Sequence, residues 1–258
     1  MLYFDNENIR IIFSDKSDGN MLFGKPDSTD FDADALINKK VVDSRLKFFA
    51  NHQIDPARLS NIWGVHGSDI YRIHGKDLGK GALNPQTRVE NYDGLITDVK
   101  NSYLMITGAD CLPVLFYDER HKAIGATHTG WRGVIKEIVP KMIARFSTDF
   151  RSDPTDIKAW IGPGIKACHY DVPEERAELF SKKYAYCIME KDGRFFLDLA
   201  GAIALQLTGV GVNPQNIVIH QDCTYCEKDK WFSARRDKPE RIEAAAFIMH
   251  LKPQIILI

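Results

Sequence analysis

Residues 113–147 read PVLFYDERHKAIGATHTGWRGVIKEIVPKMIARFS, a segment whose pattern indicates how strands and helices are arranged in this chain. Its first half predicts two strands, at 113–118 and 122–129, joined by the polar turn Glu-Arg-His as a hairpin. After the Gly-Trp-Arg-Gly turn, apolar side chains recur at the spacing of one helix face from Ile135 to Phe146, which predicts a helix over about 131–147. A hairpin that leads into an amphipathic helix is typical of sheets covered by helices.

Along the rest of the chain, the same strand and helix patterns predict the other elements. The expected strands lie at 61–73, 103–110, 157–162, 216–221 and 244–251, and the expected helices at 173–184 and 197–211. Because helices and strands alternate but hairpins also occur, we predict an α/β fold with mixed β-sheets in a sandwich-like core and helices on the outside. No repeat or linker interrupts the chain, so a single domain over 1–258 is expected.

The composition excludes several classes of protein. The 34 Lys and Arg residues balance 35 Asp and Glu residues, so no basic excess is present to neutralise a nucleic-acid backbone. The N-terminus lacks the basic residues of a signal peptide, and no apolar run approaches the ~20 residues of a membrane helix. We therefore predict a cytoplasmic protein without nucleic-acid or membrane partners. Its five cysteines, an odd number, favour reduced thiols over a disulfide framework.

Three residues at loops or strand ends are candidate metal ligands. They are His66 in GVHGSD, Cys111 in GADCLP and His128 in THTGWRG. A catalytic zinc ion takes three such ligands and leaves a fourth position for water. The separations of 45 and 17 residues match no short-range metal motif. The residues alone therefore leave two interpretations open: a shared metal site, or two polar strand ends and a core cysteine.

Five ordered segments carry a resemblance to a known family. The segments GVHGSDI, GADCLPVLFYD, THTGWRG, IGPGIKACHYDV and CTYCEKDKWFSARRD resemble successive signatures of the YfiH family, also called the laccase-domain or polyphenol oxidase family. This resemblance implies one Zn²⁺ ion, with Cu²⁺ as the alternative, held by His66, Cys111 and His128. It also implies a purine nucleoside phosphorylase that cleaves adenosine, inosine and S-methyl-5'-thioadenosine with phosphate, and that deaminates adenosine through a metal-bound hydroxide.

The implied chemistry assigns catalytic roles to residues near the metal-ligand motifs. Deamination needs a carboxylate that moves a proton, and Asp110 and Asp93 are the nearest candidates by motif. Phosphorolysis needs a phosphate held by cations or backbone amides, for which Arg132 and the backbone of 162–166 are candidates. Arg132 at a helix start is equally typical of an arginine that pairs with a carboxylate.

Further residues are candidates for substrate binding. The resemblance assigns this role to Lys16, Tyr170 and Arg235. Tyr170 has the aromatic ring to stack on a purine, although a buried tyrosine often only bonds through its hydroxyl. Lys16 stands where the family usually has an arginine, so the charge is kept but the bidentate fork is lost. Gly64 also replaces a common glutamine, and the residues after Arg235 lack the usual glycines.

Two other functions remain alternatives. One is a copper-dependent polyphenol oxidase, since a ligand set of two histidines and a cysteine also binds copper. Against it, the chain has eight histidines and no His-x-His pair, whereas blue multicopper oxidases hold their coppers largely through such pairs. The other is a non-catalytic, zinc-containing protein that binds nucleosides.

The segment HQDCTYC contains a second set of candidate ligands. His220, Cys223 and Cys226 are spaced three apart, but a Cys-x-x-Cys pair needs partners elsewhere in the chain. Only Cys168 and Cys187 are left unassigned. We interpret this segment as packing near the active site.

Overall fold

The computed structural model describes residues 1–24, 31–238 and 242–253. In chain order its helices are α1 (Phe31–Asn51), α2 (Trp131–Ile135), α3 (Ile138–Phe150), α4 (Glu174–Tyr184), α5 (Leu199–Gly209) and α6 (Ala234–Asp237). Its strands are β1 (Leu2–Asp5), β2 (Ile9–Phe13), β3 (Leu59–Trp63), β4 (Ile70–Arg72), β5 (Val89–Glu90), β6 (Gly94–Thr97), β7 (Ser102–Gly108), β8 (Leu112–Asp118), β9 (Ala123–Thr129), β10 (Ile157–Ile161), β11 (Asp171–Val172), β12 (Ile188–Lys191), β13 (Arg194–Leu197), β14 (Ile217–Ile219) and β15 (Ala245–Leu251). None of the helices in these ranges is long and apolar enough to span a bilayer.

The described strands form two six-stranded sheets and one small sheet. The first sheet has the order β1-β2-β15-β7-β3-β5, the second β14-β10-β8-β9-β6-β4, and the small sheet β11-β13-β12. Both large sheets mix directions: β3 runs parallel to β7, and β10 runs parallel to β14 but antiparallel to β8. The predicted α/β fold with mixed sheets is confirmed.

The two large sheets pack face to face. Phe13, Ile106 and Phe247 of the first sheet share a buried cluster with Leu115 and Ile124 of the second. Each sheet has a helical layer on its other face: α1 covers the first sheet, and α3 and α5 cover the second. The sandwich-like core with outer helices therefore follows the prediction, while the single domain over 1–258 stays a prediction.

The hairpin β8–β9 brings its helix directly onto the second sheet. Pro113 pairs with His128 in the antiparallel register, so the chain leaves the sheet beside the turn that holds Cys111. Gly125 makes close packing of α3 feasible, because a β-carbon there would lie 3.0 Å from both Met142 Sδ and Phe146 Cε2. Residues 113–147 thus supply the two middle strands of the second sheet and the helix that covers it.

Two predicted elements are wrong in detail. The predicted strand 61–73 is two strands, β3 and β4, in different sheets, and the loop between them contains His66. The predicted helix 131–147 is broken into α2 and α3 at Glu137, whose φ is +61°. Pro140 explains the break: it lacks an N–H, and its ring would clash with the carbonyl four residues earlier in a continuous helix.

Candidate metal centre and active site

His66, Cys111 and His128 meet at one edge of the sheet sandwich. His66 follows β3, Cys111 lies in the turn from β7 to β8, and His128 is near the end of β9. Their ligand atoms all lie within 4.8 Å of one another, and Cys111 Sγ is 3.8 Å from His66 Nε2. The structure therefore brings together three residues that the sequence spacing could not connect, with ligands drawn from both sheets.

Unusual backbone conformations position two residues of this site. His66 has φ of +56° and Asp110, next to Cys111, has φ of +87°. Such values are uncommon for residues other than glycine and persist where the surrounding structure imposes them. In this chain they turn the loops sharply, so that the His66 and Cys111 side chains face His128.

Asp93 holds His128 in position from behind. Its Oδ1 is 2.9 Å from His128 Nδ1, and the carboxylate also accepts hydrogen bonds from the backbone N–H groups of Val65, His66 and Gly67. The side chain of Asp93 is fully buried. A carboxylate on Nδ1 fixes the tautomer that offers Nε2 to a metal ion. The structure thus gives Asp93 a positioning contact, and the proton-transfer role considered from the sequence stays a prediction.

The electrostatics of the three residues suit a metal ion. Burial by itself raises the pKa of the Cys111 thiol, but the adjacent His128 and His66 rings hold that pKa below its ordinary value. Burial lowers the pKa of His128, but Cys111 and Asp93 outweigh it and raise that pKa. Burial also raises the pKa of Asp93, and its contact with His128 reverses this. The thiolate is the form of cysteine that binds metals, so the donor set fits zinc or copper.

Aromatic and basic side chains lie next to the three ligands. Tyr170 is buried, which raises its pKa to about 12, and its hydroxyl feels the charge of the Cys111 thiolate. The Arg235 guanidinium lies 5.3 Å from the centre of the Tyr170 ring. On Trp131, Arg132 lies 4.5 Å and Arg176 4.2 Å from the ring centre. These side chains offer ring faces and positive charge beside a metal-ligand set.

Sequence reasoning missed Arg176. It lies on α4, where its guanidinium contacts both Trp131 and the Tyr170 hydroxyl, and its buried Nε has no hydrogen-bond partner among the described residues. The segment PEERAEL carries several charges in a row and no motif. Nothing in the sequence distinguishes this arginine from its charged neighbours.

Asp110 links three loops next to Cys111. Its carboxylate accepts hydrogen bonds from Thr224 Oγ1 and from the backbone N–H of Arg235, both at 2.7 Å. Its backbone carbonyl accepts the N–H of Ile165 at 2.9 Å. Both side-chain oxygens of Asp110 therefore already hold a donor, and its catalytic role stays a prediction.

Lys16 lies beside the short helix α6. Its Nζ is 3.6 Å from a carboxylate oxygen of Asp237 and 5.7 Å from the centre of the Phe232 ring. Lys16 is the first residue of a short 3-10 helix, and its backbone N–H donates to the carbonyl of Lys230. The substrate-binding role of Lys16 also stays a prediction.

Gly130 lies against two of the ligands. A β-carbon on this residue would be 2.9 Å from Cys111 Sγ and 3.1 Å from His66 Cδ2, while its φ of −83° suits any residue. Gly130→Ala is therefore expected to displace ligands and to weaken metal binding by about tenfold or more, measured by competition with a chelator. Gly75→Ala is the matched control, since a β-carbon there meets nothing within 4 Å. Equal affinities in the two variants would contradict this prediction.

Two mixed sheets with two histidines and a cysteine at one edge define a metal-binding protein of the two-sheet α/β class. A family model described as "Multi-copper polyphenol oxidoreductase laccase" matches residues 29–250. The chain belongs to this family, as the resemblance to the YfiH family predicted.

Individual relatives have informative names. "Purine nucleoside phosphorylase YlmD" of Geobacillus stearothermophilus is 35% identical over 189 residues, which are 71% of this chain and 69% of that protein. "Purine nucleoside phosphorylase LACC1" of Mus musculus is 30% identical over 70% of this chain, which spans only 43% of the mouse protein. The crystal structure of the Bacillus licheniformis hypothetical protein YfiH is 25% identical, with a TM-score of 0.86 over 97% of this chain and 99% of that one.

Proposed function

We propose that the protein is a zinc-dependent purine nucleoside phosphorylase. Its substrates would be adenosine, inosine or S-methyl-5'-thioadenosine together with phosphate, and its products a purine base and a pentose 1-phosphate. The observation that carries this proposal is the meeting of His66, Cys111 and His128 beside aromatic and basic side chains. The names of the relatives support the same reaction.

The three ligands would hold the zinc ion. Bound there, zinc would keep one position open and would polarise a water molecule or a substrate atom in that position. Asp93 would keep the His128 ring from rotating, since it holds Nδ1 and its own carboxylate is anchored by backbone N–H groups. Cys111 would contribute a thiolate.

In phosphorolysis, the remaining side chains would hold the phosphate and the nucleoside. A phosphate oxygen forms a bond to the anomeric carbon of the sugar while the bond to the purine nitrogen breaks, and the electron pair leaves with the base. Arg132 and Arg176 are the cations that would hold the phosphate, with Lys16 and Arg235 as further contacts. The Tyr170 ring would stack on the purine. Fixing both substrates lowers the barrier by removing their freedom to separate.

Deamination of adenosine is the second activity of this proposal. Water adds to C6 of the purine and ammonia leaves, so a nearby group must move a proton. Asp110 is the carboxylate next to a ligand, and release of either of its two hydrogen bonds would free an oxygen for this step. Asp110→Asn separates the two activities: we expect it to reduce inosine formation more than adenine formation.

The test supplies the zinc-loaded protein with adenosine and measures products by chromatography, with and without phosphate. We expect adenine and ribose 1-phosphate only when phosphate is present, and inosine in both cases. Neither adenine nor inosine at high enzyme concentration would refute the proposal.

Two further measurements test the alternative functions. Oxidation of a phenol by the copper-loaded protein, lost in Cys111→Ala, would favour the polyphenol oxidase that the family description names. Thermal stabilisation by inosine without any product would favour a zinc-containing protein that binds nucleosides but does not convert them.

A further inference from the structure

Four potential metal ligands form a second cluster away from His66, Cys111 and His128. Cys168, His169, Cys223 and Cys226 place their ligand atoms within 4.8 Å of one another. His220, which the sequence grouped with Cys223 and Cys226, is not among them. Cys168 and His169 supply the partners that the Cys-x-x-Cys pair needs, and we call these four residues the second cluster.

Three distances in the second cluster are close to those around a tetrahedral zinc ion. Zn–S bonds of about 2.3 Å at tetrahedral angles separate two sulfurs by about 3.8 Å, and a sulfur from a nitrogen by about 3.5 Å. The Sγ atoms of Cys168 and Cys226 are 3.7 Å apart. His169 Nδ1 lies 3.3 Å from Cys168 Sγ and 3.2 Å from Cys226 Sγ. Small adjustments would place all four atoms around one ion.

The backbone around Cys223 is arranged to support a thiolate. Cys223 is buried, and its Sγ accepts the backbone N–H of Lys166 at 3.4 Å, with further N–H contacts from Tyr225 and Cys226. A β-bridge joins Cys223 to Gly164, so the two cysteine-bearing segments are already paired. His169 stacks on Tyr225, with ring centres 4.3 Å apart. These contacts fix the direction of the ligands before any ion binds.

A buried positive charge completes this environment. Lys166 Nζ is buried and has no hydrogen-bond partner within the described parts of the chain. Burial lowers its pKa, and the charges that act against this are those of Asp198 and Cys223, followed by Asp222 and Cys168. Three thiolates and one neutral histidine around Zn²⁺ carry a net charge of about −1, which the ammonium group of Lys166 would balance.

We propose that Cys168, His169, Cys223 and Cys226 bind a second zinc ion in a closed, structural site. The ligand set of three cysteines and one histidine is one of those that structural zinc sites use, and it leaves no position for water. It differs in this respect from the three-ligand site, which stays open. All five cysteines are free thiols, so the four ligands are available.

The second ion would brace the loops that support the first site. The Cys223–Cys226 loop carries Thr224, which donates to Asp110 beside Cys111. The Arg236 guanidinium donates to the carbonyls of Thr224 and Tyr225, and the neighbouring Arg235 N–H also binds Asp110. The second ion would thus hold the segment around residues 164–170 against the segment that positions Asp110.

Metal content and metal coordination test this proposal. The full chain, purified under reducing conditions and equilibrated with zinc chloride, should contain two zinc ions per chain. Cys226→Ala and Cys168→Ala should each lose one, and both are exposed positions at which folding is expected to survive. Cys187→Ala is the control, since Cys187 lies outside both clusters and should leave both ions in place.

X-ray absorption on Cys111→Ala examines the second site separately. Its zinc should show three sulfurs at about 2.3 Å and one nitrogen at about 2.0 Å, whereas zinc in Cys226→Ala should show one sulfur only. When cobalt replaces zinc, the thiolate-to-metal absorption should likewise be stronger in Cys111→Ala than in Cys226→Ala. The site that remains has three cysteine ligands in the first variant and one in the second.

Two results would overturn the proposal. The first is a single zinc ion in the wild type that is lost in Cys111→Ala and kept in Cys226→Ala. The second is a wild type that shows fewer than five titratable thiols when it is denatured in chelator without reductant. The missing thiols would then be assigned to a disulfide between Cys168 and Cys226. Both results are independent of turnover, so neither depends on whether the phosphorylase proposal holds.

Discussion

His128→Ala is expected to lose one metal ion per chain and to lose phosphorolysis almost completely. The variant keeps only His66 and Cys111 at the site, and two ligands do not hold zinc in a catalytic geometry. A catalytic metal contributes several kcal/mol to transition-state stabilisation, so the rate should fall by at least about a hundredfold. Elemental analysis and the adenine-release assay measure the two losses.

His74→Ala provides the matched control for this experiment. His74 is exposed and lies outside both groups of potential metal ligands, so the same change should leave metal content and rate unaltered. Full metal content in His128→Ala would remove His128 from the ligand set. Equal losses in both variants would point to unfolding instead of ligand loss.

Asp93→Asn should weaken metal binding without removing a ligand. The asparagine oxygen still accepts from His128 Nδ1, but its NH₂ group then faces the backbone N–H of Gly67, which now donates to the carboxylate at 2.6 Å. Mutation of the outer partner of a metal-bound histidine costs about 10–100-fold in metal affinity, here because the neutral amide no longer supports the ring with a negative charge. The unpaired buried donor should also lower the free energy of unfolding by about 1–3 kcal/mol.

Asp69→Asn makes the same chemical change at a neighbouring exposed position. It should leave both the metal affinity, measured by chelator competition, and the denaturation midpoint unchanged. An Asp93→Asn variant with the affinity of Asp69→Asn would show that His128 needs no carboxylate to stay in place.

Strands with a clear apolar pattern were predictable, and elements shaped by tertiary contacts were not. The strands β8, β9 and β15 were predicted nearly to the residue, since each is buried along its length. The helix α1 was not predicted, because its contacts do not follow a simple apolar stripe. Arg45 on this helix is fully buried, and its guanidinium donates to the carbonyls of Met21, Gly81 and Ala82. Hydrophobic patterning contains no signal for a charge that is satisfied in this way.

The residues of the candidate sites were also predictable only in part. The residues themselves marked His66, Cys111 and His128 as candidates, but only the resemblance grouped them, since their contact depends on the order of strands in two sheets. The second cluster was missed because Cys168 and Cys226 are 58 residues apart and meet only through loop packing. A Cys-x-x-Cys pair with an adjacent Cys-His pair elsewhere was the available signal.

The placement of the first three ligands has a consequence for folding. His66 follows a strand of the first sheet, and His128 is near the end of a strand of the second. Cys111 lies in the turn where the chain passes from the first sheet to the second. The three ligands are separated by 45 and 17 residues, so no short segment of the unfolded chain supplies all of them. An ion held by all three would bind after both sheets have formed, and its binding energy would then slow their separation. Bound there, the ion would link the two sheets, and its presence would mark chains that have completed folding.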